Sequence, residues 1–206
     1  LNQFPRISLD KYTTLIMVSG SYNQLGKDEI KKIKKWVEKG NTLITIARGS
    51  SWAINNNLID ENLVESKDDS VHSRKNYVDA SGFIGRERIG GVILRTDIDL
   101  THPIAFGYND ASIPVYKNNN VFINRTKDDY SSVAIYSEDF HIDGYISELN
   151  REQFIPGAAS LIISKLGSGR VVVFADNPNF RGTWYGTNKL FLNAIFLGDN
   201  ISVPTD

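Results

Sequence analysis

The chain has 206 residues, with 23 lysines and arginines against 24 aspartates and glutamates, so its formal net charge is −1. This balance argues against a nucleic-acid surface, and the absence of cysteine excludes disulfides, thiolate zinc sites and cysteine catalysis. With 41% hydrophobic and 23% charged residues, the composition is that of a globular protein with a sizeable core, and no apolar run has the length of a membrane span.

The first part of the chain predicts a βαβ unit. Residues 12–19 form an apolar run of strand length, and residues 27–40 place apolar side chains at the spacing of an amphipathic helix. A second apolar run begins at Thr42. Strand, helix and strand in this order indicate two parallel strands with a right-handed crossover. The lysines of the helix are interpreted as a solvated face.

Residues 42–52, TLITIARGSSW, predict a strand that turns sharply into a helix. Many α/β enzymes mount their nucleophile on such an elbow, because the strained turn presents one side chain above the sheet and the following N–H groups face an oxyanion. The residue at the predicted tip is Ala47, which has no nucleophilic atom. The pattern therefore predicts the backbone geometry of a nucleophile elbow without a nucleophilic side chain.

The middle of the chain is less regular. Residues 51–58 predict a short helix, and residues 59–81 predict a long polar excursion outside the core. Three strand-like runs follow, at residues 83–100 (split by Gly90 and Gly91), 113–121 and 133–136.

The last third predicts a hairpin and a helix. Residues 158–166 and 170–175 are apolar runs on either side of a glycine-bearing turn at 167–169, which predicts two antiparallel strands. Residues 186–196 predict a C-terminal helix. Together with the βαβ unit, these elements predict a parallel-centred α/β sheet with an antiparallel extension at one edge.

A zinc site is one alternative interpretation of the three histidines, His72, His102 and His141. Asp97 or Asp99 would complete the ligand set, but zinc ligands are usually paired at short spacing, as in His-x-x-x-His, and no such pair occurs. We therefore expect no metal and no cofactor in this chain. His102 precedes Pro103 and is expected to hydrogen-bond backbone in a turn.

Ser50 and Ser51 follow the predicted tip and are candidate substitute nucleophiles. They fall in the first turn of the predicted helix, where serine normally caps the helix or is solvated. A histidine would also have to reach them from a distant part of the chain. We interpret both as helix-terminus residues, and a hydrolase that uses the residual cleft stays open as an alternative.

The segment 176–182, DNPNFRG, directly follows an apolar strand. Polar groups at the carboxyl end of a strand are typical of ligand sites in α/β sheets, and an arginine on the facing elbow would pair with a carboxylate, a glycan or a peptide end. The candidate ligand-binding residues are Arg48, Ser50, Asp176, Asn177, Asn179, Arg181 and Trp184. The simpler interpretation, which we favour, is a loop whose polar side chains satisfy backbone groups.

Two segments together resemble the class I glutamine amidotransferase-like superfamily, which carries Ile-Cys-x-Gly at an elbow and a later His-Pro-Glu after a strand. Here the segments stand as residues 46–49, IARG, and residues 177–179, NPN. The resemblance places Ala47 at the cysteine position, Asn177 at the histidine position and Asn179 at the glutamate position. All three departures disable the chemistry, because alanine cannot attack and asparagine neither takes a proton nor orients an imidazole as a carboxylate does.

The resemblance implies a flavodoxin-like, three-layer α/β sandwich with a mostly parallel sheet and an antiparallel edge hairpin. It implies a single domain over residues 1–206 and no catalytic residue in it.

A narrower resemblance rests on residues 99–108, 175–182 and 184–195. They look like the amidotransferase-like domain that follows the catalytic domain in certain secreted bacterial zinc carboxypeptidases. It implies an extracytoplasmic accessory domain, excised from a larger peptidase, that stabilises or positions the peptidase domain or its substrate. Zinc and the His-x-x-Glu motif would belong to that absent domain, since no histidine here has glutamate three residues later.

The implied partner is the peptidase domain of the same protein, and peptide or glycan is a further candidate; nucleic acid is not expected. A ligand-binding or glycan-binding domain that uses exposed aromatic residues remains an alternative.

Overall fold

The computed structural model describes residues 1–66, 76–86, 88–128 and 130–202. Within these ranges the strands are β1 (Thr14–Met17), β2 (Thr42–Ile46), β3 (Val92–Ile98), β4 (Ser112–Lys117), β5 (Ser132–Gly144), β6 (Ala159–Leu166) and β7 (Gly169–Phe174). The α-helices of the same ranges are α1 (Lys27–Glu38), α2 (Arg48–Asn55), α3 (Ala80–Gly85) and α4 (Tyr185–Phe196). None of these described helices is long and apolar enough to cross a membrane.

The seven described strands form one mixed sheet in the order β1-β2-β7-β6-β5-β3-β4. The first three neighbours, β1, β2 and β7, pair in parallel, and the remaining neighbours pair antiparallel. Five of the seven strands (β1, β2, β7, β5 and β4) consequently run in the same direction. The predicted βαβ unit and the predicted α/β class are confirmed.

The predicted hairpin is also confirmed, as β6 and β7 pair antiparallel across residues 167–168. It does not lie at an edge, however. Strand β7 pairs on its other side with β2, so the hairpin occupies the middle of the sheet, and the antiparallel part continues through β5 and β3 to β4. The sequence patterns of single strands do not reveal their order, which explains this difference.

Helices cover both faces of the central strands. Every residue of β2 and β7 is buried, as is typical of strands covered on both sides. Leu43 and Val171 point into a core shared with α1 and α2, whereas Ile44 and Val172 point into a core shared with α4. The alternation of side chains along each strand thus separates two apolar cores and produces three layers.

Several predicted boundaries are wrong. The run predicted as a strand at 83–100 begins inside helix α3, and only Val92–Ile98 is a strand, because a short apolar run does not distinguish helix from strand. The strand predicted at 133–136 extends over Ser132–Gly144, where its distal half is largely exposed and pairs with β3 through bulges. Residues 67–75 of the predicted excursion lie outside the described residues.

Candidate functional site

The turn between β2 and α2 is a strained elbow with Ala47 at its tip. Ala47 has φ 50° and ψ −111°, a conformation that residues with a Cβ adopt rarely. Its N–H donates to the carbonyl of Phe174 at 2.8 Å, and its own carbonyl accepts from the N–H groups of Ser50 and Ser51 at 2.9 and 3.1 Å. These hydrogen bonds stabilise the strained backbone conformation of Ala47, although its methyl side chain is chemically inert.

Close packing holds the rest of the elbow. A Cβ on Gly49 would lie 2.5 Å from the carbonyl oxygen of Met17 in β1, so only glycine lets α2 begin this close to the sheet. Ser50 is fully buried, and its Oγ donates to the carbonyl of Phe174 at 2.7 Å and contacts Thr45 Oγ1 at 3.0 Å. Ser50 therefore ties α2 to the strands, and its selection as a ligand-binding candidate is wrong.

A cleft of about 660 Å³ opens at the tip of the elbow, and we call it the elbow cleft. Ala47 and Arg48 line it from the elbow, Asn177 and Phe180 line it from the loop after β7, and residues 118–120 line it from the loop after β4. The structure thus brings two of the three positions carried over from the amidotransferase motif, Ala47 and Asn177, to one cleft.

Asn179, the third of these positions, does not line the elbow cleft. It is exposed, its Oδ1 accepts from Asn188 Nδ2 of α4 at 2.7 Å, and its N–H donates to Asn177 Oδ1 at 3.1 Å. Asn179 instead links the loop after β7 to the first turns of α4.

Two other ligand candidates also lie outside the lining of the elbow cleft. Arg181 is exposed with φ 52°, and its guanidinium is 5.3 Å from the centre of the Phe180 ring. Trp184 is half-buried, and its Nε1 donates to the carbonyl of Pro114 in β4 at 3.2 Å. Trp184 docks the start of α4 on the sheet, so it is not a free aromatic platform.

Asp176 belongs to a buried polar network. Its Oδ1 accepts from Lys117 Nζ at 3.0 Å, and its Oδ2 accepts from Tyr136 Oη at 2.6 Å and from Ser160 Oγ at 2.9 Å. Lys117 also donates to the carbonyl of Val121 at 2.7 Å, beside the elbow cleft. With both carboxylate oxygens occupied inside the protein, Asp176 is not open to a ligand, which corrects its selection as a candidate.

Burial governs the ionisation of this network. Lys117 has no exposed side-chain area, and this desolvation lowers its pKa although the neighbouring carboxylate of Asp176 raises it. Burial and the same carboxylate raise the pKa of Tyr136 well above its ordinary value, so its hydroxyl stays neutral and donates. The network pairs Lys117 with Asp176 inside the protein, and it fixes the loop after β4 against the strand end of β7.

The histidines do not converge on the elbow cleft in the described part of the chain. His102 Nδ1 accepts from the N–H of Ile104 at 3.1 Å, which is the turn contact that the sequence predicts, and burial lowers its pKa. His141 Nε2 contacts the carbonyl of Gly144 at 2.7 Å. His72 lies outside the described residues. Within the described ranges, no group of three or more metal-ligating side chains is placed to hold an ion.

Comparisons with known proteins identify the fold. No family model and no curated protein matches the chain. Among the solved structures that match, a GMP synthase component from Thermoplasma acidophilum is 16% identical with a TM-score of 0.53, and the match covers 93% of this chain and 75% of that chain. PurLQS from Thermotoga maritima is 16% identical with a TM-score of 0.52, and the match covers 92% of this chain and 81% of that chain. A ThuA-like protein from Parabacteroides merdae is 10% identical with a TM-score of 0.56, and the match covers 97% of this chain and 76% of that chain. The chain therefore has a class I glutamine amidotransferase-like fold.

Proposed function

We propose that this chain is a non-catalytic accessory domain of a zinc carboxypeptidase, in which an amidotransferase-like fold serves for binding and positioning. One observation carries the non-catalytic part: the strained tip of the elbow is occupied by Ala47, at φ 50°. A nucleophile elbow places its reactive atom on this side chain, and a methyl group cannot form a covalent intermediate. The association with a carboxypeptidase is supported by the sequence resemblance.

Among the described residues, the lining of the elbow cleft offers no side chain suited to general acid–base catalysis. Its described lining contains no histidine, aspartate or glutamate, and Asn177 cannot take a proton from a nucleophile. Ser51 lines the cleft, but no base accompanies it there among the described residues, and Ser50 is buried and bonded to a strand carbonyl. These features favour a binding role over the alternative of a hydrolase that uses the residual cleft.

Purified chain is expected to release ammonia from glutamine no faster than buffer does. The variant Ala47→Cys is expected to remain inactive too, because restoring the thiol leaves Asn177 unable to act as its base. A coupled ammonia assay on both proteins provides the measurement, and Ser51→Ala is the matched control for a serine-dependent reaction. Turnover above background that Ser51→Ala abolishes would contradict the non-catalytic proposal.

An exposed apolar surface on α4 supports the accessory role. Phe196 and Leu192 lie one helical turn apart on the solvent side of α4, and Phe196 is 75% exposed. The segment that carries Phe106, itself 73% exposed, lies against the same helix, since Asn193 Nδ2 donates to the Phe106 carbonyl at 2.9 Å. Clustered exposed aromatic and aliphatic side chains are typical of protein interaction sites. In the proposed assembly this α4 surface contacts the peptidase domain.

The sequence of the gene provides the first test of whether the partner is a peptidase domain. The reading frame upstream of Leu1 is expected to encode a zinc peptidase domain with a His-x-x-Glu motif. That domain, added in trans, is expected to bind the present chain, and the double variant Phe106→Ser, Phe196→Ser is expected to weaken binding by at least about tenfold, because buried aromatic anchors dominate interface energies. Calorimetry provides the measurement. Tyr145→Ser, which removes a 75% exposed aromatic from a different part of the chain, is the matched control.

The proposal of a peptidase partner would be refuted if the upstream reading frame encoded no peptidase domain. It would also be refuted if the double variant and Tyr145→Ser bound the peptidase domain equally well.

A further inference from the structure

The charged side chains that line the elbow cleft within the described residues are both cationic. They are Arg48, in the first turn of α2, and Arg88, in the segment before β3. Both are exposed, and neither guanidinium has a hydrogen-bond or ion-pair partner in the described part of the chain. With one positive charge from each arginine and no carboxylate in the described lining, the cleft favours an anionic occupant.

The amide groups of the cleft are arranged as hydrogen-bond donors. Three asparagine Oδ1 atoms each accept a backbone N–H: Asn119 from Val121 at 2.8 Å, Asn120 from Ile89 at 3.1 Å and Asn177 from Asn179 at 3.1 Å. Each of these oxygens is turned towards a backbone N–H, which leaves the NH₂ groups as the donors that these side chains can offer a ligand. The Nδ2 atom of Asn119 is buried and has no acceptor among the described residues. A ligand oxygen would supply that acceptor.

The backbone of the elbow adds donors of the same kind. The N–H groups of Arg48 and Gly49 open α2 and make no hydrogen bond within the described residues. The first N–H groups of a helix lack intrahelical acceptors, and the helix dipole makes this end partly positive. The elbow thus adds backbone N–H donors to the charge of the two arginines and to the asparagine amides that line the same cleft.

We propose that the elbow cleft binds an oxyanion, a carboxylate or phosphate group, with Arg48 and Arg88 as its ionic partners and the Asn119 amide as a further donor. A guanidinium pairs with either group through two parallel hydrogen bonds. A cation would be repelled by the two guanidinium groups. The inference rests on the proposed non-catalytic function, because it treats the elbow with Ala47 as a binding element.

Isothermal titration calorimetry on the whole chain at fixed ionic strength tests this proposal. The probes are inorganic phosphate, an N-acetyl dipeptide with a free carboxylate, and the same dipeptide with an amidated end. We expect saturable binding of phosphate or of the free-carboxylate peptide, which distinguishes the two sources of the oxyanion, and no binding of the amidated peptide. Arg48→Gln and Arg88→Gln are each expected to weaken binding by at least about tenfold, since each removes a charge-assisted contact.

Arg125→Gln is the matched control, because Arg125 is also exposed but lines a different cleft. Rising salt is expected to weaken binding to the unaltered chain, which tests the ionic contacts without any substitution. The proposal is overturned if no probe binds saturably, if the amidated peptide binds as well as the free acid, or if Arg125→Gln causes the same loss as Arg48→Gln. Glutamine turnover would refute the non-catalytic function instead, so the two failures are distinguishable.

Discussion

Replacing Asp176 with alanine is expected to lower the free energy of unfolding by about 3–5 kcal/mol, because breaking a buried ion pair from one side strands the other charge. The stranded group is the ammonium of Lys117, which is fully buried and lies 3.0 Å from the carboxylate in the unaltered chain. After the substitution it keeps the carbonyl of Val121 and the hydroxyl of Tyr136 as neutral acceptors. Urea unfolding at pH 7 measures the loss.

The pH dependence of this variant identifies the stranded charge. Burial already lowers the pKa of Lys117 from its ordinary value of 10.5, and the substitution removes the attraction by Asp176 that opposes this shift. Between the folded-state pKa and 10.5 the unfolded chain binds more protons than the folded chain, so stability rises with pH in that window. The stability gap between Asp176→Ala and the unaltered chain is therefore expected to narrow as the pH is raised from about 7 towards about 10.

The double variant Lys117→Met, Asp176→Ala is the matched control. Because it removes both charges, it is expected to have a higher free energy of unfolding at pH 7 than Asp176→Ala alone. Its stability is not expected to rise at high pH through titration of Lys117, which is absent. Equal losses in the single and double variants, with the same pH dependence, would show that the destabilisation does not come from an unpaired Lys117.

The elbow and the βαβ unit were predictable because their signals are local. The apolar spacing of α1 and the β-branched run of β2 fall within a short stretch, and the glycine two residues after Ala47 marks the sharp turn. The order of the strands and the length of β5 were not predictable in this way. Strand β5 depends on pairing with β3 and β6, which come from other parts of the chain.

The contents of the elbow cleft were only partly predictable. Arg48 and Asn177 lie next to sequence signals for strand ends, whereas Arg88 lies in an irregular segment with nothing in its neighbourhood to indicate the elbow. Asp176 precedes Asn177 directly, yet it points into the core network, and polar character alone does not distinguish these two directions. The burial of Lys117 could be predicted, because it follows Ile113 and Val115 at the two-residue spacing of side chains on one face of a strand.

Gly49→Ala is expected to lower the free energy of unfolding by about 1–3 kcal/mol, the range for overpacking a close-packed site. The added Cβ would lie 2.5 Å from the carbonyl oxygen of Met17, and a backbone atom cannot rotate away as a flexible side chain can. The overlap with this carbonyl oxygen is relieved only if α2 moves away from β1. This movement displaces the first turn of the helix and with it Arg48. Urea unfolding measures the stability, and the phosphate or peptide titration measures the effect on the elbow cleft.

Gly20→Ala is the matched control, because Gly20 lines the same cleft and a Cβ there would meet its nearest atom at 3.9 Å, an ordinary contact. That variant is expected to keep its stability or to gain up to about 1 kcal/mol through a less flexible unfolded chain. If Gly49→Ala matched it in both stability and anion binding, the contact between β1 and α2 would not position the elbow. A loss of anion binding confined to Gly49→Ala would instead show that the cleft depends on how closely α2 begins beside the sheet, even though Ala47 leaves that elbow without a nucleophile.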